Sequence, residues 1–221
     1  MSDIIQHVVE QYRLRYARTP RLFRSPGRIN IIGEHTDYNG GFVLPAAVNK
    51  AVYYAIEPRD DRQIELVALD LNETFVCSLD DYPEQTPPAW PRYQLGVVDQ
   101  LLHNGYSIRG FQTVFGGDIP LGAGMSSSAA LECGLAYALN SLFLLSVEPL
   151  ALVKLAQKAE NEFVGVQCGI MDQFASLMGQ REAVVRLDCR TLEYAYFPFP
   201  MYAYRLVLCD TGCSYPSDRL S

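Results

Sequence analysis

Short strand-like runs come early in this chain and long helical runs follow, an order that predicts an α+β domain rather than a regular βαβ winding. Three observations carry that prediction. Six segments rich in β-branched and aromatic residues, AVYYAIEP, QIELVAL, ETFVCSL, FQTVFGG, AVVRLD and YRLVLCD, are bounded by turn formers. Four segments space their apolar residues near 3.6: MSDIIQHVVEQYRLRY, PRYQLGVVDQLLHNG, SSSAALECGLAYALNSLFLL and EPLALVKLAQKAENEFVG. The 221 residues are 49% hydrophobic and 19% charged, which is enough to bury the core of one large domain.

Taken in order, an amphipathic helix opens the chain and ARTPRLFRSPGR, residues 17–28, reads as a loop. A polar cluster then interrupts an apolar stretch near residues 33–41, and strands follow over 51–58, 63–69 and 73–79. EQTPPAWP is a proline-rich surface loop rather than a domain boundary. Beyond it come a helix over 91–105, a strand over 111–117, helices over 126–145 and 148–165, and strands over 183–188 and 204–210. One main domain is expected over 1–200, with 201–221 opening a second.

The net charge is −7 and the arginines are scattered, so no basic face for nucleic acid is expected. No uninterrupted apolar run reaches the roughly 18 residues a membrane span needs. The N-terminus lacks the charged-then-apolar pattern of a signal peptide. Six cysteines form no CxxC and sit mostly in apolar runs, where Cys behaves as a small buried hydrophobe. Free thiols and a cytoplasmic location are therefore expected.

Three stretches carry chemistry. GEHTDYNGG, residues 33–41, crowds Glu34, His35, Thr36 and Asp37 before a turn. A solvated loop, a metal site, a helix cap and a pocket for a hydroxyl-rich molecule all fit that composition. GGDIPLGAGMSSSAALE, residues 116–132, leads glycines and serines into a helix. Its free N–H groups and partial positive charge suit phosphate oxygens, although no P-loop lysine is present, and a plain Ser-capped turn is the alternative. In AENEFVGVQCGIMDQFASLMG, Asp172 stands among apolar residues and must find a partner; capping a helix that starts near Gln173 is the alternative.

Together, SPGRINIIGEHTDYNGGFVLPAA, PLGAGMSSSAALE and CGIMDQF closely resemble the galactokinase family of GHMP small-molecule kinases, from about Arg24 to about Gly212. The resemblance implies a GHMP-kinase N-terminal domain of the ribosomal protein S5 domain 2-like fold. It implies transfer of the γ-phosphoryl group of ATP to the anomeric hydroxyl of galactose. Asp172 would be the base and Arg28 its cationic partner. Glu34, His35, Thr36 and Asp37 would grip the sugar, with Gly169 and Tyr38 lining its pocket. Gly122, Ala123, Gly124, Met125, Ser126, Ser127 and Ser128 would wrap the ATP phosphates. Mg²⁺ would be held by Ser128 and Glu160, with Glu132, four residues beyond Ser128, as runner-up. The family's C-terminal domain is expected to be essentially absent, which makes an inactive fragment one outcome. A non-catalytic galactose and ATP sensor regulating transcription, or an N-acetylgalactosamine kinase, are the alternative readings.

Overall fold

A computed structural model describes residues 3–82, 87–120, 122, 124–201 and 206–209. Its larger sheet has five strands: β1 (Arg21–Asn30), β3 (Pro45–Pro58), β4 (Gln63–Ala68), β5 (Glu73–Ser78) and β6 (Phe111–Gly117). Their spatial order is β1-β3-β6-β4-β5, with every neighbouring pair antiparallel except β4 and β6. A smaller antiparallel sheet joins β2 (Phe42–Val43), β7 (Ala183–Asp188) and β8 (Tyr194–Pro198) in the order β2-β7-β8.

Strand β3 lies between β1 and β6 and is buried on both faces, which is why AVYYAIEP has no polar alternation. One face, through Ala51, Tyr53 and Ala55, meets Val8 and Tyr12 of helix α1 (Asp3–Tyr16). The other face, through Val52, Tyr54 and Ile56, joins the main core with helices α2 (Ala89–His103) and α3 (Ser127–Leu142). Tyr54 is fully buried, and its hydroxyl donates to the Leu131 carbonyl at 2.8 Å and accepts from Gln94 at 3.1 Å, so the burial leaves no orphaned phenol. Helices α4 (Pro149–Lys158) and α5 (Met171–Met178) share a second core with the small sheet, built from Val153, Met171, Phe174, Val185 and Leu187.

The structure corrects three expectations. Residues 17–28 are not a loop: β1 begins at Arg21 and is an edge strand, where Pro26 costs no ladder bond. The helix expected over 148–165 is α4 followed by a π-helical turn, Ala159–Val164, which swings Glu160 into the interior. The strand expected over 204–210 is absent from its described part, residues 206–209, where Leu206, Val207 and Leu208 stand exposed with no partner strand to satisfy them. The rest of the proposed second segment, residues 202–205 and 210–221, lies outside the described residues.

Candidate active site

The site begins with an irregularity in β1. The pairing of β1 with β3 slips between Pro26 and Arg28, a bulge that re-aims the side chain following it. Gly27 is required there, because a Cβ would lie 2.7 Å from the carbonyl oxygen of Met125. That close approach lets the Arg28 amide donate to Met125 O at 3.2 Å. The Arg28 guanidinium then meets Asp172 as a fork, with Nε to Oδ1 at 2.7 Å and Nη2 to Oδ2 at 2.8 Å. Its Nη1 donates to the Gly124 carbonyl at 2.5 Å.

Asp172 lies in the first turn of α5 and makes no side-chain cap, so the helix-cap alternative does not hold. The helix is pinned to β1 at a second point, where Ser176 donates to Pro26 O at 2.8 Å and its hydroxyl lies 3.0 Å from that of Ser25. Arg28 and Asp172 are thus presented by two regular elements rather than by loops.

The phosphate-loop candidates reach this pair. Gly122 and Gly124 take left-handed backbone conformations, and Ala123 lies outside the described residues. The Met125 side chain is buried, and Ser127 and Ser128 open α3. The first amides of α3 have no intrahelical acceptor, so the helix start can receive anionic oxygens. Ser126 departs from the simple reading. It has left-handed φ and ψ of 54° and 61°, and its hydroxyl makes no cap but donates to Asp172 Oδ2.

The GEHTD cluster divides. Thr36 donates to the carbonyls of Gly33 at 2.7 Å and Phe42 at 2.8 Å, and so holds the turn closed. His35 Nδ1 pairs with the Tyr38 hydroxyl at 2.5 Å, and Glu34 accepts from Asn30 Nδ2 at 2.8 Å. Asp37 lies close enough to Asp172 and Arg28 to feel both charges. It packs so tightly on Gly169 that a Cβ there would lie 2.0 Å from its Oδ2. Burial raises the Asp37 carboxyl pKa; the Tyr38 amide opposes this and the charge of Asp172 adds to it. Asp37, Tyr38 and Gly169 line one open cleft of about 560 Å³.

A second acidic group lies beneath α5. Glu132 of α3 is fully buried, and Glu160 of the π turn is 5% exposed. Gln173 Nε2 donates to Glu160 Oε2 at 2.7 Å and to Glu132 Oε2 at 3.3 Å, and the Cys168 thiol donates to Glu160 at 3.3 Å. Burial, then the Glu160 charge, pushes the Glu132 carboxyl up to about 10. Glu132 Oε1 is buried and makes no hydrogen bond within the protein, so burial disfavours its charged form. Burial also raises Glu160, while hydrogen bonds from Cys168 and Ser128 oppose the rise. The two expected cation-holding residues, Ser128 and Glu160, therefore lie near each other. Among the described residues no cluster of three or more His, Cys, Asp or Glu is arranged to hold a metal ion. Sequence reading named Glu160 and Glu132 as cation candidates but missed Gln173, whose amide joins them; its signal was a polar residue beside Asp172 on a short apolar helix.

No helix among the described residues is long and apolar enough to cross a membrane, and the five described cysteines are free. The galactokinase galactose-binding signature matches residues 10–58, and the N-terminal domain of GHMP kinases matches residues 92–180. Galactokinase of Clostridium acetobutylicum is 41% identical over 95% of this chain and 55% of its own length. Galactokinase of Bacillus subtilis is 44% identical over 87% of this chain and 50% of its own. A crystal structure of Lactococcus lactis galactokinase complexed with galactose superposes with a TM-score of 0.82 at 38% identity, covering 87% of this chain and 51% of that one. A Methanococcus jannaschii mevalonate kinase shares the fold, with a TM-score of 0.66 at 17% identity. The chain spans about half the length of the curated relatives it matches. With an α+β fold matching a solved galactokinase and both family signatures in place, this chain belongs to the galactokinase family of GHMP kinases.

Proposed function

We propose that this protein transfers the γ-phosphoryl group of ATP to the anomeric hydroxyl of galactose. One observation carries the reading: the Arg28 fork holds Asp172 while its remaining N–H reaches the glycine loop, so a base and a phosphate cradle share one charged unit. Asp172 accepts the proton of the sugar hydroxyl as its oxygen attacks phosphorus; a positioned base contributes about 10²–10⁴-fold. Arg28 orients the carboxylate through its two-bond fork and places positive charge where the transferring phosphoryl passes. The α3 amides and the loop from Gly122 to Ser128 bind the ATP phosphates. Asp37 accepts from a sugar hydroxyl, Gly169 and Tyr38 shape that side of the pocket, and Glu34 and His35 complete the grip. Thr36 shapes the turn that presents them.

Mg²⁺ bound with ATP neutralises phosphate charge. Ser128 and Glu160 fit it: both offer hard oxygens near each other, and a cation would offset the cost of burying the Glu160 charge. Glu132, as the neutral partner, braces Glu160 from behind. We place the reaction in the cytoplasm, where free thiols persist. The test is incubation of the 221-residue chain with galactose and Mg-ATP, scoring galactose 1-phosphate. Product that disappears in Asp172→Asn supports the assignment. Product surviving in the variant removes Asp172 as the base, and none from the unaltered chain means these residues do not suffice within it.

A further inference from the structure

Ser126 sits inside the stretch expected to bind phosphate, yet its side chain is committed elsewhere. Three donors converge on the Asp172 carboxylate: Arg28 Nε on Oδ1, and Arg28 Nη2 and the Ser126 hydroxyl on Oδ2. A carboxylate offers about four lone-pair directions, two per oxygen. Oδ2 is therefore filled, and the one open direction belongs to Oδ1.

We propose that Ser126 is a positioning residue that selects Oδ1 of Asp172 as the proton-accepting oxygen and fastens the phosphate loop to the base. The inference rests on the phosphoryl-transfer reading above and assigns the Ser126 hydroxyl to the base instead of the nucleotide. The backbone supports it. A serine at φ 54° is held in a region L-residues rarely occupy, and such strain persists where the surroundings enforce it. Those surroundings are contacts to the same pair: Gly124 O and Met125 O both accept from Arg28, on the two residues preceding Ser126. The loop is joined to the Arg28–Asp172 pair by three hydrogen bonds within three consecutive residues, two to Arg28 and one to Asp172. Loss of the hydroxyl frees Oδ2, lets the carboxylate offer either oxygen, and loosens the loop.

Two variants separate the hydroxyl from the backbone. Ser126→Ala removes the hydroxyl and keeps the left-handed strain; Ser126→Gly removes both. Hydrogen exchange on the ligand-free chain reads the latch without requiring turnover. The Arg28 amide, bonded to Met125 O, is expected to exchange about tenfold faster in both variants. In turnover assays kcat is expected to fall about tenfold, with KM for ATP and for galactose within about threefold. Calorimetry with a non-hydrolysable Mg-ATP analogue is expected to give a Kd within about threefold of the unaltered chain. Unchanged exchange at Arg28 overturns the latch, and a tenfold or greater loss of analogue affinity returns Ser126 to the phosphates. An unaltered chain that neither binds the analogue nor turns over counts against the proposed function, while the exchange result still decides the latch.

Discussion

Asp172 and Gln173 are adjacent on α5, but they serve two acidic sites that the fold treats in opposite ways. Asp172 turns outward to a guanidinium fork and is partly open, with side chains 14% and 24% exposed across the pair. Gln173 turns inward to Glu132 and Glu160, where its amide and the Cys168 thiol are the donors and one acid keeps its proton. A guanidinium fork leaves a carboxylate oxygen free at the cleft; an amide donor between two buried acids satisfies oxygens that water cannot reach. One short helix thus carries the proposed reactive carboxylate on one side and the buried acid network on the other.

The sharpest way to break the contrast is Arg28→Met. It leaves Asp172 without its cation, and the rate is expected to fall about 10²–10³-fold. Stability drops by about 1–3 kcal/mol, less than for a fully buried pair because both groups touch solvent. Activity assays and urea denaturation read the two effects. Gly169→Ala is next: the added Cβ collides with Asp37, and galactose affinity measured by calorimetry is expected to fall about tenfold, with a stability loss of about 1–3 kcal/mol. An unchanged Kd would remove Asp37 from the sugar site.

On the buried side the effect is smaller and appears as pH dependence. The Glu132 carboxyl is raised from its ordinary 4.5 to about 10 in the folded chain, so its contribution is fully present below about 4.5 and is lost as pH climbs toward 10. Glu132→Gln resembles the neutral acid. Measured with a chelator present, it is expected to change stability by under about 1 kcal/mol at low pH and to flatten the decline above it; a slope identical to the parent's would refute the neutral assignment. Least of all, iodoacetamide at neutral pH is expected to leave Cys168 unmodified in the folded chain, since burial and Glu160 hold its thiol well above the ordinary range.

Much of the fold was legible because apolar periodicity is local. The central strands and α2 and α3 fall close to their expected places, with Tyr54 and Leu135 in the core as their patterns require. β1 was not legible, since Arg24, Pro26 and Gly27 read as loop, and only pairing with β3 makes an edge strand of them. The π turn was hidden too, because AENEFV has ordinary helical spacing and bends to bury Glu160. At the site, motif order pointed to Arg28 and Asp172, which the fold joins across 144 positions. It did not reveal that Thr36 closes its own turn or that Ser126 faces the carboxylate. Those depend on where a hydroxyl points, which residue type alone does not specify.

The most direct test is the rate of galactose 1-phosphate formation in two near-isosteric variants measured side by side, Asp172→Asn and Glu132→Gln. The account predicts that the first loses at least about 10²-fold, as removal of a general base should, while the second stays within about tenfold of the parent. Equal losses in both, or an active Asp172→Asn, would contradict the division of labour across α5.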